Sequence, residues 1–140
     1  MSANEVANGK RSGDWQDPAH YKLEVWQEAM DLVKAVYRLT ATMPGSERFN
    51  LTEQIQRSAV SVPSNIAEGA GRGSKPDFVR FLLISRGSLM ELDTQLRIAA
   101  ELEMLRNIAP INQAILRLLA KLNGLIRNQR KPLIRQSNPS

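Results

Sequence analysis

Apolar residues recur at helical spacing from Tyr21 to Ile126, in four blocks separated by glycine, proline and short polar runs. In the first block Val25, Ala29, Leu32, Val36 and Leu39 make one stripe, and Trp26, Met30, Val33 and Tyr37 a second beside it. Met43, Pro44 and Gly45 end this helix. The second block starts after Asn50, a candidate cap with Glu53 three residues on. Its stripe is narrow: Leu51, Ile55, Ala59, Val62 and Ile66. Pro63 lies inside it and lacks an amide hydrogen, so the pattern predicts an end near Val62 or a kink. Continuation in phase to Ile66 favours the kink. Gly69, Gly71 and Gly73 are expected to stop the helix.

The third block opens with Ser74 or Lys75 ahead of Pro76, with Asp77 suited to the helix dipole. Phe78, Phe81, Leu82, Ser85, Leu89, Leu92, Leu96 and Ala99 hold phase as far as Leu102. This predicts the longest helix, about 40 Å at 1.5 Å per residue. In the fourth block Ile108, Ile111, Ile115, Leu118, Leu122 and Leu125 alternate steps of three and four, a heptad seam with Pro110 in the first turn.

Four amphipathic helices, short connections and no strand pattern predict an all-α fold, an antiparallel up-and-down four-helix bundle. The chain divides into a disordered leader over 1–20, the bundle over 21–127 and a flexible basic tail over 128–140. The paired stripes of the first helix cover more than the roughly 100° that a core-facing helix needs. Either the surplus is ordinary apolar surface or a second subunit covers it, and self-association is the expectation.

Composition narrows the chemistry. The chain has 140 residues, no cysteine and one histidine, which removes disulfides, thiolate nucleophiles, sulfur-ligated metals and histidine clusters. No run approaches the roughly 18 apolar residues that span a bilayer, and no signal peptide opens the chain, so a cytoplasmic protein without membrane or cofactor is expected. Charge is uneven. The net is +5, yet every acidic residue lies at or before Glu103, so the segment from Met104 to Ser140 carries +7 and the remainder −2.

Such a segment attracts polyanions, and Arg117, Lys121, Arg127, Arg130 and Lys131 are its candidate phosphate ligands. Arg72 and Lys75, in the glycine-rich run after the second helix, could touch a phosphate too, although that run lacks the Gly-Lys-Ser/Thr ending of a phosphate loop. A solubilising end is the other reading. No aromatic residue in the segment could stack on a base.

Polar residues also recur within the helices. Gln54, Arg57, Ser58, Ser61, Asn65 and Glu68 share a face of the second helix, and Arg80, Ser85, Arg86, Gly87, Ser88 and Glu91 interrupt the third. Arg57, Ser61, Asn65, Glu68, Arg86, Ser88 and Glu91 form a candidate structural network in which Asn65 and Glu68 reach Arg86 or Ser88. If buried, loss of Glu68 or Arg86 would cost ~3 kcal/mol. No catalytic constellation is visible: Glu68 and Glu91 lack a recognisable pocket, and the Glu-x-x-His pairs of di-iron bundles are missing.

The stretches Leu23 to Ala29, Leu51 to Gly69 and Arg86 to Leu92, above all Ser-x-Pro-Ser-Asn-Ile-Ala-Glu-Gly at 61–69, resemble the bacterial four-helix-bundle proteins encoded in intervening sequences of 23S ribosomal RNA genes. The likeness spans about residues 21 to 125. It implies an up-and-down bundle assembled as a homopentameric ring, with no enzymatic activity. A related accessory protein of diversity-generating retroelements, a basic pentameric barrel, binds nucleic acid and a reverse transcriptase. The expectation is therefore a non-enzymatic homo-oligomer that binds RNA or DNA through backbone phosphates. The alternative is a scaffold that docks another protein and binds no nucleic acid.

Overall fold

The computed structural model describes residues 17–132. Four helices form: α1 (Glu24–Thr40), α2 (Leu51–Gly71), α3 (Lys75–Glu101) and α4 (Ala109–Arg130), with single 3-10 turns at Ala19–Lys22 and Gly45–Glu47. Among the described residues there is no strand. Side-chain bonds reveal the register. Thr40 pairs with Gln56, Ser61 with Ser88, Asp93 with Asn112, and Lys121 with Glu24. Each joins the end of one helix to the beginning of another or two central turns, so successive helices run antiparallel and α4 closes against α1. The helices thus pack in the cyclic order α1, α2, α3, α4.

The core follows the hydrophobic period. Val25, Ala29, Leu32 and Val36 meet Ile55, Ala59, Val62 and Ile66, together with Leu82, Leu89, Leu92, Leu96 and Ala99 of α3 and Ile111, Ile115, Leu118 and Leu122 of α4. The first α1 stripe supplies that helix's fully buried apolar residues; of the second, Trp26 and Val33 are half-buried against the core, Met30 is half-buried and Tyr37 is exposed. The α4 seam departs from a strict heptad at its end. Ile126, not Leu125, is the buried residue, because a nearly straight helix of 3.6 residues per turn drifts from a 3.5-residue repeat.

Helix boundaries show where local chemistry differs from the expected kind. Asn50 precedes α2 but its side chain does not cap; Glu47 Oε2 accepts from the Leu51 amide at 3.4 Å instead. The 3-10 turn at Gly45–Glu47 brings that carboxylate to the helix start. The end considered near Val62 does not form, and α2 continues through Pro63 to Gly71. Just beside that proline, the buried Ser85 hydroxyl donates to the Val62 carbonyl at 2.9 Å. Ser74 caps α3, accepting from the Asp77 amide at 3.3 Å.

Gly69 lies inside α2 and does not stop it: a Cβ there would stand 2.6 Å from Phe81 Cβ, so its lack of a side chain sets how closely α2 and α3 approach. The turn between them rests on Gly73, at φ +79. α3 ends in a Schellman motif, Glu103 N donating to Ala100 O at 3.0 Å and Met104 N to Ala99 O at 2.8 Å, with Glu103 at φ 60.

Two expected boundaries move. α4 persists to Arg130, beyond the bundle end expected at 127, and Ala19 and His20, assigned to the leader, form part of a 3-10 turn. The rest of the leader, residues 1–16, and the tail from 133, with Arg135, lie outside the described residues.

Candidate nucleic-acid interface

The basic candidates separate onto two flanks. Lys121 Nζ lies between the carboxylates of Glu24 and Glu28 on α1. Hydrogen bonding to Glu24 and then Glu28 holds its ammonium above the usual lysine range. Arg117, one turn earlier, borders a groove of about 280 Å³ shared with Glu28, Asp31, Leu32, Ala35 and Ala114. Three carboxylates therefore neighbour these two cations, Asp31 also lying 3.9 Å from Lys34, so this flank presents a phosphate with little uncompensated positive charge. The α1/α4 register thus gives both candidates acidic neighbours: Lys121 is engaged by two carboxylates, whereas Arg117 is exposed and makes no ion pair among the described residues.

The α3/α4 flank is different. Lys75, Pro76 and Val79 at the start of α3 and Gln129 and Arg130 at the end of α4 line one groove of about 360 Å³. Two basic residues more than fifty positions apart thus share a surface. Further along, Arg86 donates to Asn123 Oδ1 at 3.0 Å, a neutral partner that leaves its charge uncompensated. Asn123, Arg127 and Arg130 follow one another at steps of four and three, so exposed Arg127 stands between these two points.

Exposed Lys131 continues the row as the C-cap of α4. Among the described residues, Lys75, Arg86, Arg127, Arg130 and Lys131 make no ion pair. The row from Lys75 to Arg86 extends about 16 Å along α3. Asp93, the acid of α3 that faces α4, accepts from Asn112 at 3.0 Å near the far end of the helix pair.

Arg72 is less available. It pairs with Glu68 at 3.0 Å and lies 5.0 Å from the centroid of the Phe81 ring, which Arg80 also covers at 4.6 Å.

The candidate polar network is partly assembled, with other partners. Ser61 and Ser88 hydroxyls meet at 2.7 Å, and Ser58 donates to Glu91 Oε2 at 3.4 Å. Asn65 turns back to Ser61, donating to its carbonyl at 2.8 Å and its hydroxyl at 2.9 Å. Glu68 faces solvent and pairs along its own helix with Arg72, as Glu53 does with Arg57 at 2.8 Å. Asn65 and Glu68 therefore do not reach Arg86 or Ser88, because the i,i+4 partner within α2 is nearer than the neighbouring helix. Among the described residues no group of three or more metal-ligating side chains occurs, and no helix is long and apolar enough to cross a membrane.

Residues 21–126 match the sequence profile of the family described as 23S rRNA-intervening sequence protein. The chain belongs to that family. Its fold is similar to that of a solved protein of unknown function from the S23 ribosomal protein family of Bacteroides thetaiotaomicron VPI-5482, at 22% identity and a TM-score of 0.68, covering 74% of this chain and 98% of that one. None of the curated proteins compared with it matches.

Within this member of the 23S rRNA-intervening sequence family, Lys75 and Arg86 fall inside the matched segment, whereas Arg127, Arg130 and Lys131 lie just beyond it. Arg86 was legible only as part of a packing network. Its place on the basic flank follows from its position opposite Asn123, and the apolar spacing of α3 and α4 contained the phase needed to find it.

Proposed function

We propose that this protein is a non-enzymatic, cytoplasmic homo-oligomer that holds RNA or DNA by backbone phosphates on the α3/α4 flank. The observation that carries the reading is the groove in which Lys75 and Arg130 converge, continued by Arg127, Arg86 and Lys131, none of which forms an ion pair among the described residues. Contacts of this kind fix a strand in place without reading its sequence.

Self-association rests on the α1/α2 flank, where Trp26, Met30 and Val33 are half-buried and Tyr37 and Val60 are 46% and 40% exposed. A ring of five, the number the resemblance implies, would repeat the basic row on every subunit. Five copies of 15.7 kDa make about 78 kDa by light scattering, and a stable 15.7 kDa particle would remove the ring.

A salt titration tests the binding. Five phosphate contacts predict log K falling with log salt at a slope near −4.5 on duplex DNA and about −3.5 on a single strand. Affinity independent of salt, or no binding at low salt, overturns the reading and leaves the protein-docking scaffold.

A further inference from the structure

We infer that the apolar cleft beside the basic groove takes an unpaired nucleobase, so that the nucleic acid this protein binds is single-stranded at that point. The inference rests on the phosphate-binding reading and adds the ligand's chemistry. The cleft, about 300 Å³, lies where the start of α1, the α2–α3 turn and the last turn of α4 meet. That is at the lower end of the roughly 300–1,000 Å³ of small-molecule sites.

Its walls are Ala19, Leu23, Ala70 and the half-buried ring of Phe78, which rests against Gly69. A flat aromatic heterocycle suits such a surface, since every base presents a face that stacks on an aromatic ring. The rim is polar. Ser74 is occupied in capping α3, but Lys75 and Gln129 are not, and the Gln129 amide finds no hydrogen-bond partner among the described residues. An amide offers both a donor and an acceptor to a base edge.

Continuity with the phosphate row decides the occupant. Lys75 and Gln129 line both the apolar cleft and the Lys75–Arg130 groove. A nucleotide has the same layout, an apolar-faced base joined to an anionic phosphate, and a strand lying along α3 with its phosphates on Lys75 and Arg130 can place one base in the cleft. A paired base inside a duplex cannot enter without leaving its stack. The charge of Lys75 and Arg130 complements the phosphate and would not favour a wholly apolar guest.

The test compares three fluorescently labelled probes at one salt concentration: a single-stranded oligonucleotide, an abasic strand of equal phosphate count, and a blunt duplex. The intact strand is expected to bind about tenfold more tightly than the abasic strand, with the same salt slope, and the duplex to gain nothing from the cleft. Ala70→Trp and Ala19→Trp fill the cleft from two different elements of its lining, and each is expected to reduce the ratio of intact to abasic affinity to about one. Circular dichroism identifies variants that fold. Equal affinity of intact and abasic strands for the wild type overturns the inference while the phosphate reading stands. Failure of all three probes to bind overturns both.

Discussion

Replacing Gly69 with alanine isolates the close approach of α2 to α3. The added Cβ would stand 2.6 Å from Phe81 Cβ, 3.2 Å from Phe78 Cδ1 and 3.3 Å from the Phe78 carbonyl oxygen. Rotation of a side chain cannot relieve the first of these, because Cβ is fixed to the backbone, so the two helices must separate. Overpacking of this kind costs about 1–3 kcal/mol, against which alanine regains up to ~1 kcal/mol of helix propensity. With the propensity gain fully realised the expected net loss is about 0–2 kcal/mol, a fall in melting temperature of up to roughly 8 °C for a chain of this length.

Gly87, in the middle of α3, is the control. A Cβ there meets nothing within 4 Å. Gly87→Ala is therefore expected to stabilise by ~0.5–1 kcal/mol. Urea or thermal unfolding followed by circular dichroism measures both. A Gly69→Ala protein as stable as Gly87→Ala would refute the claim that this glycine sets the spacing of the helices.

Three further outcomes follow from other parts of the molecule. Glu68→Ala removes an ion pair whose side chains are each about half exposed (49% and 51%), so the loss should stay below about 0.5 kcal/mol; a loss near 3 kcal/mol in urea unfolding would show burial after all. Glu103→Gly relieves a left-handed backbone at the end of α3 and should raise stability by about 1 kcal/mol, and an unchanged midpoint would count against strain there. Lys121 has its folded-state pKa raised above 10.5, so its bridge to Glu24 and Glu28 is complete below that pH and lost as pH rises through the folded value. Melting temperature should accordingly fall more steeply above about pH 10.5 in the wild type than in Lys121→Met, and parallel curves would contradict the bridge.

The helices were legible because apolar periodicity reports burial directly: the stripe from Val25 to Val36 and that from Ile55 to Ile66 reappear as core. Side-chain partners were not, because a shared face does not determine which neighbour a polar group meets. Asn65 and Glu68 illustrate this, each satisfied within its own helix one turn away. The basic candidates required the register of helices distant in sequence. Excess positive charge in the last quarter is visible by counting, but whether a given cation is free depends on the acids brought opposite it. Three turns of α1 carry Glu24, Glu28 and Asp31 toward Arg117 and Lys121, while α3 presents Lys75 and Arg86 beside Arg127 and Arg130. Gly69 was misread for a related reason: its role lies in Phe78 and Phe81 across the helix pair, not in the chain around it.

The location of the phosphate row is tested most directly by comparing the salt dependence of single-strand binding in two charge-neutralised proteins. Lys75→Gln combined with Arg130→Gln should reduce the slope of log K against log salt by about 1.4, two contacts at ~0.7 each, and Lys121→Gln should leave it unchanged. The opposite pattern, a slope that depends on Lys121 and ignores Lys75 and Arg130, would contradict the assignment of the α3/α4 flank.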